Sequence, residues 1–238
     1  MQLEAIRIPR RKKYGGEFHV AIKCIFPPGD IALKTAFGQA QELAKKVHKA
    51  SPSGRLRPSN EILAACICGL LSEEAFAECV AYQNARLGTE VRVHFKKFSL
   101  AASQVDVTVE RSSSDTFDIE IRSSGHFKQD LESIYNKDFS IIGQYTTRTK
   151  RGEIHKPFYV QALYPFVKET IIQKENKEVV VYIAGGASQK LLKEKGSDQT
   201  LRQEGAEYRV ITPITAGIDA SIIIAKIMGV DPTTTSWD

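Results

Sequence analysis

Two stretches near the middle of the chain alternate without a fault, and they restrict the fold more than anything else in it. In residues 104–111, Val105, Val107 and Val109 point one way and Asp106, Thr108 and Glu110 the other. In residues 117–123, Phe117, Ile119 and Ile121 oppose Asp118, Glu120 and Arg122. Side chains alternate across a strand, so each stretch reads as a β-strand with one apolar and one charged face. Residues 112–116 fit the turn of a hairpin, which would set the carboxylates of both strands on one face of a sheet. Such a face can hold a divalent metal. It is also what a solvent-facing hairpin shows, with Glu120–Arg111 or Glu110–Arg122 as cross-strand ion pairs.

The flanks extend this pattern. A strand is expected at 90–98, a helix over about 126–147 and a further strand at 157–164. Upstream, a strand at 17–26 stops at Pro27-Pro28-Gly29, and Asp30 caps a helix running to about residue 50. Ser59 or Asn60 starts the next helix, with a break near Gly69, and a second helix runs from Ser72 to Gly88. Downstream, the β-branched run 179–183 reads as a buried strand. Gly185–Ser188 then turns into a helix at 189–195, followed by a strand at 208–211 and an apolar helix at 219–228. The expected class is α/β with a mixed sheet. Residues 1–71 would be a basic arm, strand and helices packed on a core at 72–166, and 167–238 a βαβα extension of the same domain.

Of the 238 residues, 42% are hydrophobic and 26% charged, a composition that argues against disorder. No apolar run reaches the roughly 18 residues of a membrane span, and no apolar stretch of signal-peptide type follows the N-terminal basic cluster. Cys24, Cys66, Cys68 and Cys79 show neither zinc-ligand spacing nor a disulfide framework, so a reduced, cytoplasmic protein is expected. Net charge is +5, which favours an anionic partner. The cations cluster in two runs: Arg10, Arg11, Lys12 and Lys13 with Arg7, and Arg148, Lys150, Arg151 and Lys156 with His155. Runs of this kind neutralise nucleic-acid phosphates or form solvated loops.

The order helix, three strands, helix, strand between Ser72 and Tyr164 resembles the αβββαβ core of the PD-(D/E)XK nuclease superfamily, over about a third of the chain. The resemblance implies a restriction-endonuclease-like fold and an Mg²⁺ (or Mn²⁺) site. Asp106 takes the second-strand acid position and Glu120 that of the third strand. Glu74 or Glu78 would be the assisting helix carboxylate. Arg122 stands where the superfamily has lysine, and arginine cannot act as a base. Lys128, on the expected helix, is the alternative cation.

The activity implied is metal-dependent hydrolysis of DNA by an endonuclease, in a restriction, defence or mobile-element setting, with a homodimer as the usual form of a double-strand cutter. Two other readings stand beside it. One is a nucleic-acid-binding subunit with a degenerate nuclease fold. The other is a nucleotide- or sugar-phosphate-handling enzyme using Gly185–Ser188 as a phosphate-holding turn. Tyr135, Tyr145 and Tyr159 would stack on bases or pack in the core.

Overall fold

The alternating hairpin forms as its pattern requires. In the computed structural model, which describes residues 1–47, 49–50, 55–96, 107–126, 130–146, 155–201, 206–235 and 237, β4 (Val107–Ser112) pairs antiparallel with β5 (Asp115–Gly125). Val107 lies opposite Ile119 and Thr108 opposite Asp118. β3 (Arg92–Phe95) pairs antiparallel with β4 on its outer side, and β7 (Phe158–Tyr164) runs parallel to β5 on the inner side. Three further strands, β1 (Gln2–Pro9), β2 (Phe18–Phe26) and β8 (Val179–Ser188), complete one mixed seven-stranded sheet in the order β1-β2-β8-β7-β5-β4-β3. The protein is mixed α/β.

Each strand's apolar alternation decides what covers the sheet. Val107, Val109, Ile119, Ile121, Val160 and Ala162 form one core with α1 (Ile31–Lys46), α2 (Ser59–Leu87) and α5 (Ala220–Met228). Asp30 caps α1 as expected, its carboxylate accepting from the amides of Ala32 and Leu33. α2 runs unbroken through Gly69, where the cost of a helical glycine, about 1 kcal/mol, is offset by the buried residues on either side. Tyr164 fastens β7 to α2, its hydroxyl donating to the Cys68 carbonyl at 2.6 Å.

The other face of the sheet carries a second core, built from residues such as Tyr159, Leu163, Ala184 and Leu192. Over it lies a three-stranded sheet in the order β6-β10-β9, made of β6 (Ile141–Tyr145), β10 (Ala206–Ile211) and β9 (Ser197–Leu201). α4 (Gln189–Lys195) packs between β8 and β10. Among the described residues no helix is long and apolar enough to cross a membrane.

Three expectations need correction. Among the described residues of 126–147 the expected helix does not form. Its described part holds only α3 (Leu131–Ser133), a π-helical turn (Ile134–Asp138) and strand β6. The crossover that parallel β5 and β7 require therefore passes through the second sheet instead of a long helix. Ile141 and Ile142 favour a strand, and Gly143 fits there because a Cβ would meet the Leu192 side chain and the Arg209 carbonyl at 2.6 and 2.7 Å. Secondly, residues 2–9 are an edge strand rather than an arm.

Thirdly, Gly185–Ser188 is not a turn but the end of β8, paired along β7 from Gln161 to Phe158. The Gly186 amide already donates to the Ile218 carbonyl at 2.8 Å. Ser188 only caps α4, its hydroxyl accepting from the Leu191 amide. The geometry is that of close packing, and it offers no open cradle for a phosphate.

Candidate functional site

The charged face of the hairpin points towards the second sheet, away from α2. Its residues belong to two environments. On the open side, Glu110 accepts from His94 at 2.8 Å and pairs with Arg92 at 3.6 Å. Asp118 accepts from the Thr108 hydroxyl at 2.6 Å and pairs with Lys96 at 2.9 Å. Burial pushes the Asp118 carboxyl up, but the Thr108 hydrogen bond, Lys96 and Lys156 outweigh it and hold it below the ordinary aspartate value.

On the covered side, Arg122 donates to Glu120 at 2.6 Å, and the two side chains are only 17% and 13% exposed. Exposure rises across the face to 31% at Asp118 and 45% at Lys96. Glu120 thus sits where the covered half of the face gives way to the open half.

Arg122 is held from several directions. Its guanidinium lies 5.1 Å from the Tyr145 ring centre and 5.0 Å from that of Tyr208, in cation–π contact with both. Gln161, fully buried beside Arg122 in the β5–β7 register, locks the backbone beneath. Its amide nitrogen donates to the Arg122 carbonyl at 3.1 Å and its oxygen accepts from the Ile142 amide at 3.3 Å. A charge-assisted pair gripped in this way fixes the Glu120 rotamer.

Of the residues expected at the site, Glu120 and Arg122 are together on one face. Asp106 and Lys128 lie outside the described residues, as do Arg148, Lys150 and Arg151. Glu74 is not brought to them. It is on α2, which covers the opposite face of the sheet, and burial together with Glu78 and Asp30 pushes its carboxyl up. Lys156 is not an exposed backbone clamp, being only 5% exposed. Tyr135 and Tyr159 are fully buried and Tyr145 packs on Tyr208 with ring centres 4.2 Å apart, so the tyrosines serve packing. The cross-strand pairs expected for this face also differ. Arg111 turns to the other side and donates to the α5 carbonyls of Lys226 and Ile227.

The N-terminal basic run divides. Arg11, Lys12 and Lys13 are exposed, and Arg11 and Lys12, with Lys137, contribute to a cleft of about 500 Å³ that also contains Asp130 and Glu132. β1 is four strand spacings from β5, or about 19 Å at the usual interstrand distance. Arg10 is drawn inward, donating to His19 Nδ1 at 2.9 Å and to the Gly15 carbonyl at 3.1 Å.

Since Nδ1 accepts, Nε2 carries the proton and donates to the Ala184 carbonyl at 2.7 Å. Burial first, and the Arg10 charge after it, lower the His19 pKa from 6.5 to about 4. Between those values the unfolded chain binds the proton and the native one does not. The stabilisation is therefore complete above pH 6.5 and declines as pH falls towards 4. The expected loss reaches about 3 kcal/mol, read as the difference in urea unfolding free energy between pH 7 and pH 4.5. His19→Gln should flatten that part of the profile.

Mg²⁺ takes hard oxygen donors and needs only one or two carboxylates alongside water and phosphate oxygens. Glu120 suits that requirement in kind. Among the described residues no three His, Cys, Asp or Glu side chains converge into a metal cluster. A second carboxylate for Glu120 must therefore come from elsewhere, since Asp118 is committed to Thr108 and Lys96. Signals for Lys96, His94 and Asp118 were present in the alternation of their strands. Gln161 and Tyr208 gave none, because their roles arise from the crossing of two sheets.

No family model and no solved structure matches the chain. It is 30% identical over 224 residues to the uncharacterized protein MJECS01 of Methanocaldococcus jannaschii, an alignment covering 82% of this chain and 81% of the archaeal protein.

Proposed function

The chain belongs to the family of that uncharacterized Methanocaldococcus jannaschii protein, and we propose that it catalyses Mg²⁺-dependent hydrolysis of phosphodiester bonds in DNA. The observation that carries this reading is the position of Glu120. It stands on the inner strand of a β3-β4-β5 antiparallel meander that parallel β7 continues, at the open border of a polar sheet face. The strand order and the pairing directions support the resemblance to the PD-(D/E)XK superfamily, although the helix of the crossover is reduced to α3 and a π-turn.

In this reading Asp106, the residue immediately before β4, joins Glu120 as a ligand of Mg²⁺ or Mn²⁺. A metal bound there supplies an acidified water and offsets charge on the phosphate. Arg122 fixes the Glu120 carboxylate and does not remove a proton. Arg11, Lys12 and Lys13 hold the nucleic-acid backbone at a distance, with Arg148, Lys150 and Arg151 as further contacts. A homodimer would let two sites address two strands.

The binding-only alternative is favoured by one feature. Glu120 is already neutralised by Arg122, as in a closed structural pair. Purified protein incubated with plasmid, linear duplex, single-stranded DNA and RNA in Mg²⁺, Mn²⁺ and EDTA separates the two. Metal-dependent cutting that disappears in Asp106→Asn is the expected result. Cutting that survives this change removes Asp106 from the site, and salt-sensitive binding without cutting of any substrate selects the binding-only reading.

A further inference from the structure

A cleft apart from the Glu120 face carries charges of its own. It lies between the chain that follows β1, four strands along the sheet from β5, and the segment of α3 and the π-helical turn. Its volume is about 500 Å³, inside the range of about 300–1,000 Å³ common to small-ligand sites. Arg10, Arg11, Lys12 and Lys137 line it together with Asp130 and Glu132.

The two walls are tied to each other. The Asn136 side-chain nitrogen donates to the Pro9 carbonyl at 2.9 Å, and its oxygen accepts from the Thr215 hydroxyl at 3.0 Å. These bonds fasten the π-helical turn to the end of β1, and such turns recur at functional sites. The opposite charges do not close on one another. Among the described residues none of the four cations forms an ion pair with Asp130 or Glu132. The Ser133 hydroxyl, also on the wall, makes no hydrogen bond among the described residues.

Arg10 is the half-buried member of the set. Two of its five N–H donors are spent, on the Gly15 carbonyl and His19 Nδ1. Its buried Nε has no partner among the described residues. Burial pulls the guanidinium below the ordinary arginine value, which the charge of Asp219 offsets only in part. An anion held in the cleft would complete that compensation. Four cations alone would suit any phosphate. Two carboxylates beside them suit a ligand that also presents hydroxyl donors, because an ionised carboxylate only accepts.

We propose that this cleft binds a ribose phosphate, either free or as the sugar-phosphate part of a mononucleotide. The phosphate lies against the four cations, and the ribose hydroxyls donate to Asp130 and Glu132. The site is separate from the Glu120 face and stands whether or not the chain cuts DNA.

Isothermal titration calorimetry of the full chain in low-salt buffer tests this, with AMP, ribose 5-phosphate and inorganic phosphate as probes. At least one of the two ribose phosphates should bind with Kd below about 1 mM, and about tenfold or more tighter than inorganic phosphate. A clear preference for AMP assigns a mononucleotide, and equal binding assigns the sugar phosphate alone. Lys12→Gln and Lys137→Gln, both at exposed positions, should each weaken the better probe about 5- to 20-fold. Lys13→Gln is the control, since Lys13 is exposed beside Lys12 but does not line the cleft. It should change affinity less than about twofold, its charge being screened by solvent. Glu132→Gln should narrow the preference over inorganic phosphate. Melting curves of these variants should match the wild type. Arg10 is left intact because it also holds His19.

If Lys13→Gln weakens binding as much as Lys12→Gln, the cleft is only part of a diffuse basic surface and the site is overturned. Inorganic phosphate that binds as tightly as both ribose phosphates overturns the ribose contact. A chain that binds DNA but none of the three probes overturns the proposal and leaves the basic run to nucleic acid.

Discussion

Glu120→Gln is expected to abolish metal-dependent DNA cleavage, by about a thousandfold or more, while DNA affinity in EDTA changes less than about twofold. The size follows from what the substitution removes. A neutral amide keeps the shape and can still accept from Arg122, but it withdraws the negative charge that holds a hard cation and, through it, the activated water. Loss of a single preorganised electrostatic element already costs about 10²- to 10³-fold in other hydrolytic sites. Binding is spared because the cations proposed to hold the backbone, Arg11, Lys12 and Lys13, follow β1, which is four strands along the sheet from β5.

Single-turnover cleavage assays with a melting curve on the same samples give the answer. If Glu120 only serves Arg122, the substitution lowers the melting temperature and leaves any cutting intact. The variant pair Glu120→Gln and Arg122→Lys adds a second contrast. Lysine keeps the charge but loses the guanidinium's contact with the Tyr145 and Tyr208 rings, so it should lower stability more than the glutamine does.

The hairpin, its faces and its pairing could be read from sequence because period-two alternation is a local property, written in consecutive residues. The same holds for α1, whose Asp30 cap lies next to the helix it starts. The crossover was not legible. Residues 126–147 contain Ile134, Tyr135, Ile141 and Ile142 at spacings a helix tolerates, and the strand that pairs with 141–145, β10, is remote. Leu192 and Arg209 leave no space for a Cβ at Gly143.

The site shows the same division. Glu120 and Arg122 were visible as neighbours on one strand face. The partial burial that turns them into a gripped pair comes from Tyr208 and Gln161, on strands far along the chain. Lys156 looked like part of an exposed basic run because its charge is a sequence property, whereas its burial belongs to the folded segment leading into β7, where its amide donates to the Tyr159 hydroxyl.

Gly185→Ala is expected to destabilise the protein by about 3 kcal/mol or more, lowering the melting temperature by roughly 6–12 °C for a chain of this size. Two independent costs combine. Gly185 has φ = +129°, a conformation L side chains rarely adopt, and an added Cβ would collide with the Ile218 carbonyl.

That carbonyl cannot retreat cheaply, because it accepts from the Gly186 amide while the Ile218 amide donates back to the Gly186 carbonyl at 2.9 Å. The strand is irregular here for a reason. The β7–β8 register shifts between Gln161 and Ala162, a bulge whose Ala184 carbonyl meets His19. The His19 ring would itself lie 3.1 Å from the new Cβ. Straightening the strand to admit alanine would thus break the His19 hydrogen bond and the Arg10 contact behind it.

A consequence separates this account from simple loss of packing. Once His19 is released, its pKa should return towards 6.5, and the decline in stability between pH 6.5 and 4 should shrink in Gly185→Ala. A variant that loses stability equally at every pH would show that Gly185 and His19 are not linked.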